Sequence, residues 1–130
     1  MSVNWLAVLA AALSSFLLGG VWYSALFAKA WQSAAGLSDE QVKGGNKAMI
    51  FGGSFVLALI ASATFAFFLG DKIGPQEGAL YGLCAGLTWV AASFGINYLF
   101  ERRPLKLFLI NGGYHTLQFT LIGLILGAWH

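Results

Sequence analysis

Four polar side chains recur at helical spacing inside the last apolar stretch of this 130-residue chain. Asn111, Tyr114, His115 and Gln118 occupy positions i, i+3, i+4 and i+7, which places them on one face of a helix. We call these four residues the polar face. Buried polar groups need hydrogen-bond partners, so the polar face is expected to contact protein or a wet cavity.

His115 is the residue of the polar face with the widest range of chemistry, because a histidine ordinarily titrates near neutral pH. A proton relay, ligation of a metal or haem, and contact with a polar ligand are all open to it. The interpretation we favour is a neutral histidine hydrogen-bonded between helices. A metal site is not predicted, because the other histidine is terminal His130 and the single cysteine is Cys84.

Catalytic arrangements are not indicated elsewhere in the chain. The apolar stretches contain serines such as Ser54 and Ser62 but no acid that could orient a histidine base. The glycine pairs Gly52-Gly53 and Gly112-Gly113 do not precede a Lys-Ser/Thr pair, as a phosphate loop would require. We therefore expect a non-enzymatic protein without a cofactor. The same lack of buried charge disfavours coupled ion pumping.

The elements that must position these residues are four apolar stretches separated by charged gaps. The chain is 58% hydrophobic and 9% charged, and a charge at a bilayer centre costs about 2.5–3.5 kcal/mol or more. The charges fall outside the stretches Trp5–Phe27, Ala48–Gly70, Gly78–Phe100 and Leu107–Trp129. Each stretch is long enough to cross a bilayer core of about 30 Å as a helix. The sequence predicts an all-α integral membrane protein, one domain over residues 1–130 with four transmembrane helices.

The basic residues predict the orientation of these spans. Six of the seven lie in the first and third gaps, at Lys29, Lys43, Lys47, Arg102, Arg103 and Lys106. The positive-inside rule then places residues 28–47 and 101–106 in the cytoplasm and both termini outside. We expect the membrane to be an inner (cytoplasmic) membrane. The orientation of the spans explains why the basic residues cluster in two loops, so no nucleic-acid partner is expected. The N-terminus lacks Lys and Arg, and we expect the first span to be retained rather than cleaved as a signal peptide.

A short helix is predicted on the cytoplasmic surface between the first two spans. Ser38 can cap it while Gln41 reaches back three residues later, which predicts a helix over Ser38–Lys43. The two halves of the chain also look alike, since Gly20-Val21-Trp22-Tyr23 and Gly95-Ile96-Asn97-Tyr98 end the first and third spans. This similarity predicts two parallel-related hairpins.

Partners for the polar face are predicted at a matching depth in the membrane. They are the residues that close the first and third spans, which we call the inner aromatic layer: Trp22, Tyr23, Ser24, Asn97 and Tyr98. Small residues also recur every four positions, which allows close helix packing within one bundle or against a second copy. The glycines assigned to this packing are Gly19, Gly52, Gly53, Gly78, Gly82, Gly86, Gly112 and Gly113.

The segments Gly20–Ser24, Phe100–Arg103 and Ile110–Tyr114, with a closing Gly-x-x-x-Gly-x-Trp, resemble a known family. It is a family of small bacterial and fungal membrane proteins known as domain of unknown function 1761. The resemblance covers nearly the whole chain and implies four helices. Ala25 stands where that family often has proline.

The function expected from these features is non-enzymatic. The chain would act through helix–helix association, as a homo-oligomer or an accessory subunit of a larger membrane complex, in contact with membrane lipids. Its polar face would hold that assembly together or bind a lipid-like or cofactor-like ligand. The alternative is a homo-oligomeric channel or carrier for a small neutral or weakly charged solute, lined by Asn111, His115 and Gln118.

Overall fold

The computed structural model describes residues 3–130, and within that range the chain is helical without a strand. Two of the long helices contain a π-helical segment, in which each turn holds more residues than an α-helical turn. The elements in chain order are α1 (Trp5–Gly20) with a first π segment (Val21–Leu26), α2 (Ala28–Ala35), α3 (Asp39–Lys43), α4 (Lys47–Leu69), α5 (Pro75–Ala85) with a second π segment (Gly86–Ala91), α6 (Ala92–Glu101) and α7 (Leu105–Ala128).

Side chains at the helix starts explain where the elements begin. Asn4 Oδ1 accepts hydrogen bonds from the backbone N–H groups of Leu6 and Ala7, and Asn46 Oδ1 accepts one from Met49. These bonds satisfy N–H groups that have no partner within the helix. The short α3 has the predicted reciprocal cap, in which Ser38 Oγ accepts from Gln41 N–H and Gln41 Oε1 accepts from Ser38 N–H. The short helix itself is confirmed.

Three helical stretches are long and apolar enough to cross a membrane, namely Trp5–Leu26, Lys47–Leu69 and Pro75–Glu101. They correspond to the first three predicted spans. The fourth predicted span forms α7, which has 24 residues but is more polar than the other three. The chain is therefore an all-helical protein with three candidate spans, and α7 differs from them because it carries the polar face.

The packing centres on α7, which lies against α1, α4, α5, the second π segment and α6. Ile122 is completely buried, in a core shared with Ala11 of α1, Phe65 of α4 and Ala85 of α5. A polar helix in the middle of a bundle presents its polar groups to neighbouring helices instead of lipid. Its position thus explains why α7 can be less apolar than the other long helices.

The closest helix contact joins α5 to α7 and depends on glycine. Gly78 and Gly82 face backbone atoms of Gly123 and Phe119 so closely that an added Cβ would overlap with them. One turn further, a Cβ at Gly86 would lie 2.6 Å from the carbonyl oxygen of His115. This stripe of small residues therefore faces the inside of the bundle.

The remaining surface is strongly apolar. Large side chains are exposed on the long helices, including Leu17 (69%), Phe68 (76%) and Leu99 (81%). Such a surface suits hydrocarbon and would be unfavourable in water. In α4 every residue of the first two turns, Lys47–Ser54, is exposed, whereas Ala58, Ser62 and Phe65 further along are buried.

The two hairpins do not use equivalent contacts. The α5–α7 pair is in backbone contact, whereas α1 meets α4 partly through aromatic side chains, such as Phe16 with Phe51 and Phe55 at 6.0 and 5.9 Å. The two π segments also fall at different places in the two halves. The parallel repeat stays a prediction.

Candidate functional site

Asn111 lies at the centre of the hydrogen bonds between helices. Its Oδ1 accepts a hydrogen bond from the Tyr23 hydroxyl at 2.6 Å, and its Nδ2 donates to the Tyr98 hydroxyl at 2.7 Å. Tyr23 comes from the first π segment and Tyr98 from α6. One amide side chain on α7 therefore joins three separate elements through both of its polar atoms.

Trp22 makes the next contact with α7. Its Nε1 donates to the carbonyl oxygen of Ile110 at 2.8 Å, and its ring lies 4.8 Å from that of Phe27. The indole passes close to the α7 backbone at Gly113, where an added Cβ would lie 3.1 Å from Trp22 Cζ2. The missing side chain at Gly113 thus allows the indole to approach its acceptor.

Tyr114 connects α7 to α1. Its hydroxyl donates to the carbonyl oxygen of Ser15 at 3.0 Å, and its ring packs edge-on against Tyr23 with centroids 5.3 Å apart. Gly19 borders the same hydroxyl, since a Cβ there would lie 3.4 Å from Tyr114 Oη. Gly19 therefore leaves room for the Tyr114 ring.

His115 and Gln118 form a pair within α7. His115 Nδ1 lies 2.6 Å from Gln118 Oε1, and because an amide oxygen only accepts, Nδ1 carries the hydrogen. The imidazole is stacked on Phe94 of α6 with ring centroids 5.0 Å apart and planes at 13°. We expected a hydrogen bond between helices, but the structure places this bond within α7. The link from His115 to α6 is aromatic stacking.

The inner aromatic layer is only partly assembled around the polar face. Trp22, Tyr23 and Tyr98 contact α7 as described, whereas Ser24 and Asn97 are exposed. Neither Ser24 nor Asn97 makes a side-chain hydrogen bond to any residue between 3 and 130. Adjacent helical residues point about 100° apart, so Asn97 cannot share the direction of Tyr98.

The two residues of the first span that bond to the N-terminal part of α7, Trp22 and Tyr23, both lie in the first π segment. The Phe27 N–H donates to the Trp22 carbonyl at 2.9 Å, five residues back, which is the π-helical pattern. One additional residue in a turn rotates everything after it by about 100° relative to an α-helix. The rotation therefore changes the direction of α2 and the residues after Phe27. Nothing in the sequence pattern predicted this segment.

Phe94 is the site residue that sequence reasoning missed. It stacks on His115 and its ring lies 5.6 Å from that of Tyr98. A signal was present, because Phe94 precedes Tyr98 by four residues and so shares its helical face. Backbone acceptors such as Ser15 and Ile110 carry no comparable sequence signal.

The predicted packing glycines divide into two groups. Most lie at contacts within the bundle, including Gly112, where a Cβ would lie 3.3 Å from Ala91 Cβ. Gly52 and Gly53 have no atom within 4 Å of the position that a Cβ would take. Gly52 and Gly53 of α4 therefore take no part in the close helix contacts within the chain.

The chemistry that this arrangement supplies is hydrogen bonding and aromatic packing. Within residues 3–130, no three His, Cys, Asp or Glu side chains are grouped as metal ligands would be. The histidine faces an amide, and the asparagine faces two tyrosine hydroxyls. These contacts can hold helices in a fixed rotation or contribute one wall of a ligand site.

Comparison with known proteins identifies the family. The profile described as "Protein of unknown function (DUF1761)" matches residues 6–127, nearly the whole chain, and the chain belongs to this family. The match includes the segments around Trp22 and Asn111, and the resemblance predicted from the sequence is confirmed. Neither a curated protein nor a solved structure matches the chain.

Proposed function

For this member of the family we propose a non-enzymatic function as a four-span protein of the bacterial inner membrane that acts through helix–helix association. The association is with further copies of itself, or with a larger membrane complex in which it is an accessory subunit. Residues 28–47 and 101–106 face the cytoplasm, and both termini face outward. The polar face and its tyrosine partners keep the bundle rigid.

The length and position of α7 support a fourth span. Its 24 residues correspond to about 36 Å of helix, which exceeds a hydrocarbon core of about 30 Å. Its polar side chains have partners on α1, on α6 and within α7 itself. A helix with partnered polar groups can lie in a membrane at a mean hydropathy that would disfavour an isolated span.

The distribution of basic residues supports the orientation. The loop between α4 and α5 contains Lys72, with Asp71 beside it and Glu77 in the first turn of α5. The other six basic residues lie in the other two loops or at their edges. By the positive-inside rule these two loops are cytoplasmic.

The single observation that carries the proposed role of the polar face, which is to hold the helices together, is the pair of hydrogen bonds at Asn111. Both polar atoms of its side chain bond to tyrosines of other helices, at 2.6 and 2.7 Å. A side chain lining a solute path would instead present those atoms to the path. The bonds therefore favour a role in holding the helices together. They disfavour the alternative, a channel or carrier lined by the polar face.

The first two turns of α4 support association with a further helix. Residues Lys47–Ser54 are exposed on all sides, including Met49 (71%) and Phe51 (55%). Gly52 and Gly53 expose their backbone on this segment. Small residues on a lipid-facing helix allow a second helix to approach closely, which is the main source of attraction between helices in lipid.

Native mass spectrometry of the full chain, released from lipid nanodiscs, tests the proposal. We expect an oligomer or a complex with another subunit, and we expect Gly52→Leu/Gly53→Leu to convert it to a monomer. Gly20→Leu is the matched control, because Gly20 also has open space at its Cβ position but lies on another helix. It should leave the assembly intact.

Two results would contradict this proposal. A wild-type chain that is a bare monomer in nanodiscs would rule out association as its function. Equal loss of assembly in Gly20→Leu and in the α4 variant would show that the α4 surface has no special part in it.

A further inference from the structure

An open groove of about 350 Å³ runs along α7 on the side of Gly112 and Gly113. Trp22 and Phe108 border it, and Leu87 of the second π segment lies across from them. At the floor of the groove, Ala91 packs against Gly112 and the Trp22 indole packs against Gly113.

The surface of the groove offers no free polar side chain. Its two polar side chains are Trp22 and Thr116. The Trp22 Nε1–H donates to the Ile110 carbonyl at 2.8 Å, and the Thr116 hydroxyl donates to the Gly112 carbonyl at 2.7 Å. With both donors in use, the groove suits a hydrocarbon chain and is unsuited to a polar solute.

The length of the groove matches one leaflet of a membrane. Its lining on α7 extends from Phe108 to Leu117, which is ten residues or about 14 Å of helix. Half of a hydrocarbon core of about 30 Å is about 15 Å. In the proposed orientation the groove begins at the cytoplasmic boundary and ends near the midplane.

A positive charge lies at the cytoplasmic end of the groove. Lys106 precedes the lining residue Leu109 by three positions and Gly113 by seven, so it lies on the same face of α7 one turn nearer the boundary. It is exposed and makes no ion pair with another described residue. Arg103 in the same loop is already engaged, 3.8 Å from Glu101 and 3.3 Å from the Ala35 carbonyl.

We infer that the groove binds one anionic phospholipid of the cytoplasmic leaflet. One acyl chain lies along Leu109 and Leu117 of α7 and against Leu87, and the phosphate lies at Lys106. A basic residue at the membrane boundary attracts an anionic headgroup, and the adjacent apolar groove can accept an acyl chain. The inference rests on the membrane embedding and orientation of the proposed function and is independent of self-association.

The test uses the full chain in nanodiscs that contain equal amounts of phosphatidylglycerol and phosphatidylcholine, followed by native mass spectrometry of the lipids retained. We expect one retained phosphatidylglycerol per chain. Leu117→Trp fills the end of the groove and should abolish this retention. Leu124→Trp is the matched control, because Leu124 is on the same helix and equally exposed (40% against 43%) but lies outside the groove.

The charge is tested separately with Lys106→Gln. A basic side chain near a membrane surface contributes enough binding energy for about a fivefold loss of phosphatidylglycerol affinity when it is neutralised. Lys43→Gln, in the loop on the same side, should leave the affinity unchanged. If Leu117→Trp fails to fold, Leu87→Trp on the opposite wall takes its place, since Leu87 is 53% exposed.

Several results would overturn the inference. Equal retention of the two lipids would remove the selection for negative charge. Equal retention by the Leu117 and Leu124 variants would place the lipid elsewhere, and a neutral lipid or a second copy of the chain in the groove would replace the proposed occupant. A monomer that retains phosphatidylglycerol in the expected way would contradict only the proposed self-association.

Discussion

The Tyr23 hydroxyl donates a 2.6 Å hydrogen bond to Asn111 Oδ1, although the two residues are 88 positions apart in sequence. The bond connects the end of the first candidate span to the first third of α7. Asn111 then donates to Tyr98 at 2.7 Å. One amide side chain thus links the first π segment, α6 and α7.

Replacing Asn111 with Leu is predicted to destabilise the bundle by about 1–3 kcal/mol. Hydrogen bonds between membrane helices contribute about 0.6 kcal/mol on average and up to about 1.7 kcal/mol, and this change removes two of them while leaving two tyrosine hydroxyls without their partner. Asn97→Leu on the exposed side of α6 is the control and should change stability by less than about 0.5 kcal/mol. Unfolding in mixed detergent micelles measures the free energy of unfolding of both variants.

A double-mutant cycle with Tyr23→Phe separates the hydrogen bond from packing. The coupling between Tyr23→Phe and Asn111→Leu should fall between about 0.6 and 1.7 kcal/mol. Tyr81→Phe, on the exposed surface of α5, should show none. A coupling of zero for Tyr23 would mean that the hydrogen bond contributes nothing to stability.

Gly86→Ala is predicted to destabilise the contact between α5 and α7 by about 1–3 kcal/mol. The new Cβ would lie 2.6 Å from the His115 carbonyl oxygen, and a helix backbone cannot move aside as a flexible side chain can. Gly20→Ala is the control, since its Cβ position is open. It should be neutral or stabilise by up to about 1 kcal/mol through helix propensity. Equal melting temperatures for the two variants would contradict the close contact.

His115→Phe is predicted to cost about 1–3 kcal/mol because it leaves the oxygen of the buried Gln118 side chain without its donor. The phenyl ring can keep the stacking on Phe94. His115→Phe/Gln118→Leu removes both partners and should recover most of the lost stability. Thermal unfolding compares the stability of the single and the double variant.

The same double variant distinguishes the two proposed functions. If it is stable but has lost solute flux in proteoliposomes, the channel or carrier alternative is favoured.

The proposed orientation predicts which loops react with a membrane-impermeant thiol reagent. In a Cys84→Ser background, Lys72→Cys should be labelled in intact spheroplasts, since Lys72 lies in the loop between α4 and α5. Lys43→Cys should be labelled only after the membrane is permeabilised, as the positive-inside rule requires. Labelling of Lys43→Cys in intact spheroplasts would reverse the proposed topology.

Local sequence properties were sufficient to predict the all-helical fold and the three candidate spans, although α2 (Ala28–Ala35) was not predicted. Hydropathy and the exclusion of charge depend only on residue type along the chain. They predicted four spans, and three of these correspond to the candidate spans of the structure. The cap at Ser38 and Gln41 is likewise local, and α3 begins where it predicts. The spacing of Asn111, Tyr114, His115 and Gln118 fixed their common face for the same reason, since it depends only on the helical period.

The tertiary structure alone decided which residues meet across helices. It selected Tyr98 over its neighbour Asn97, placed the His115 bond within α7, and directed the glycines of α5 inward while leaving Gly52 and Gly53 free. Such contacts depend on how far each helix is rotated, and a single π-helical residue changes that rotation by about 100°. The sequence pattern carries residue type and period, whereas the rotation follows from the packing of all the helices together.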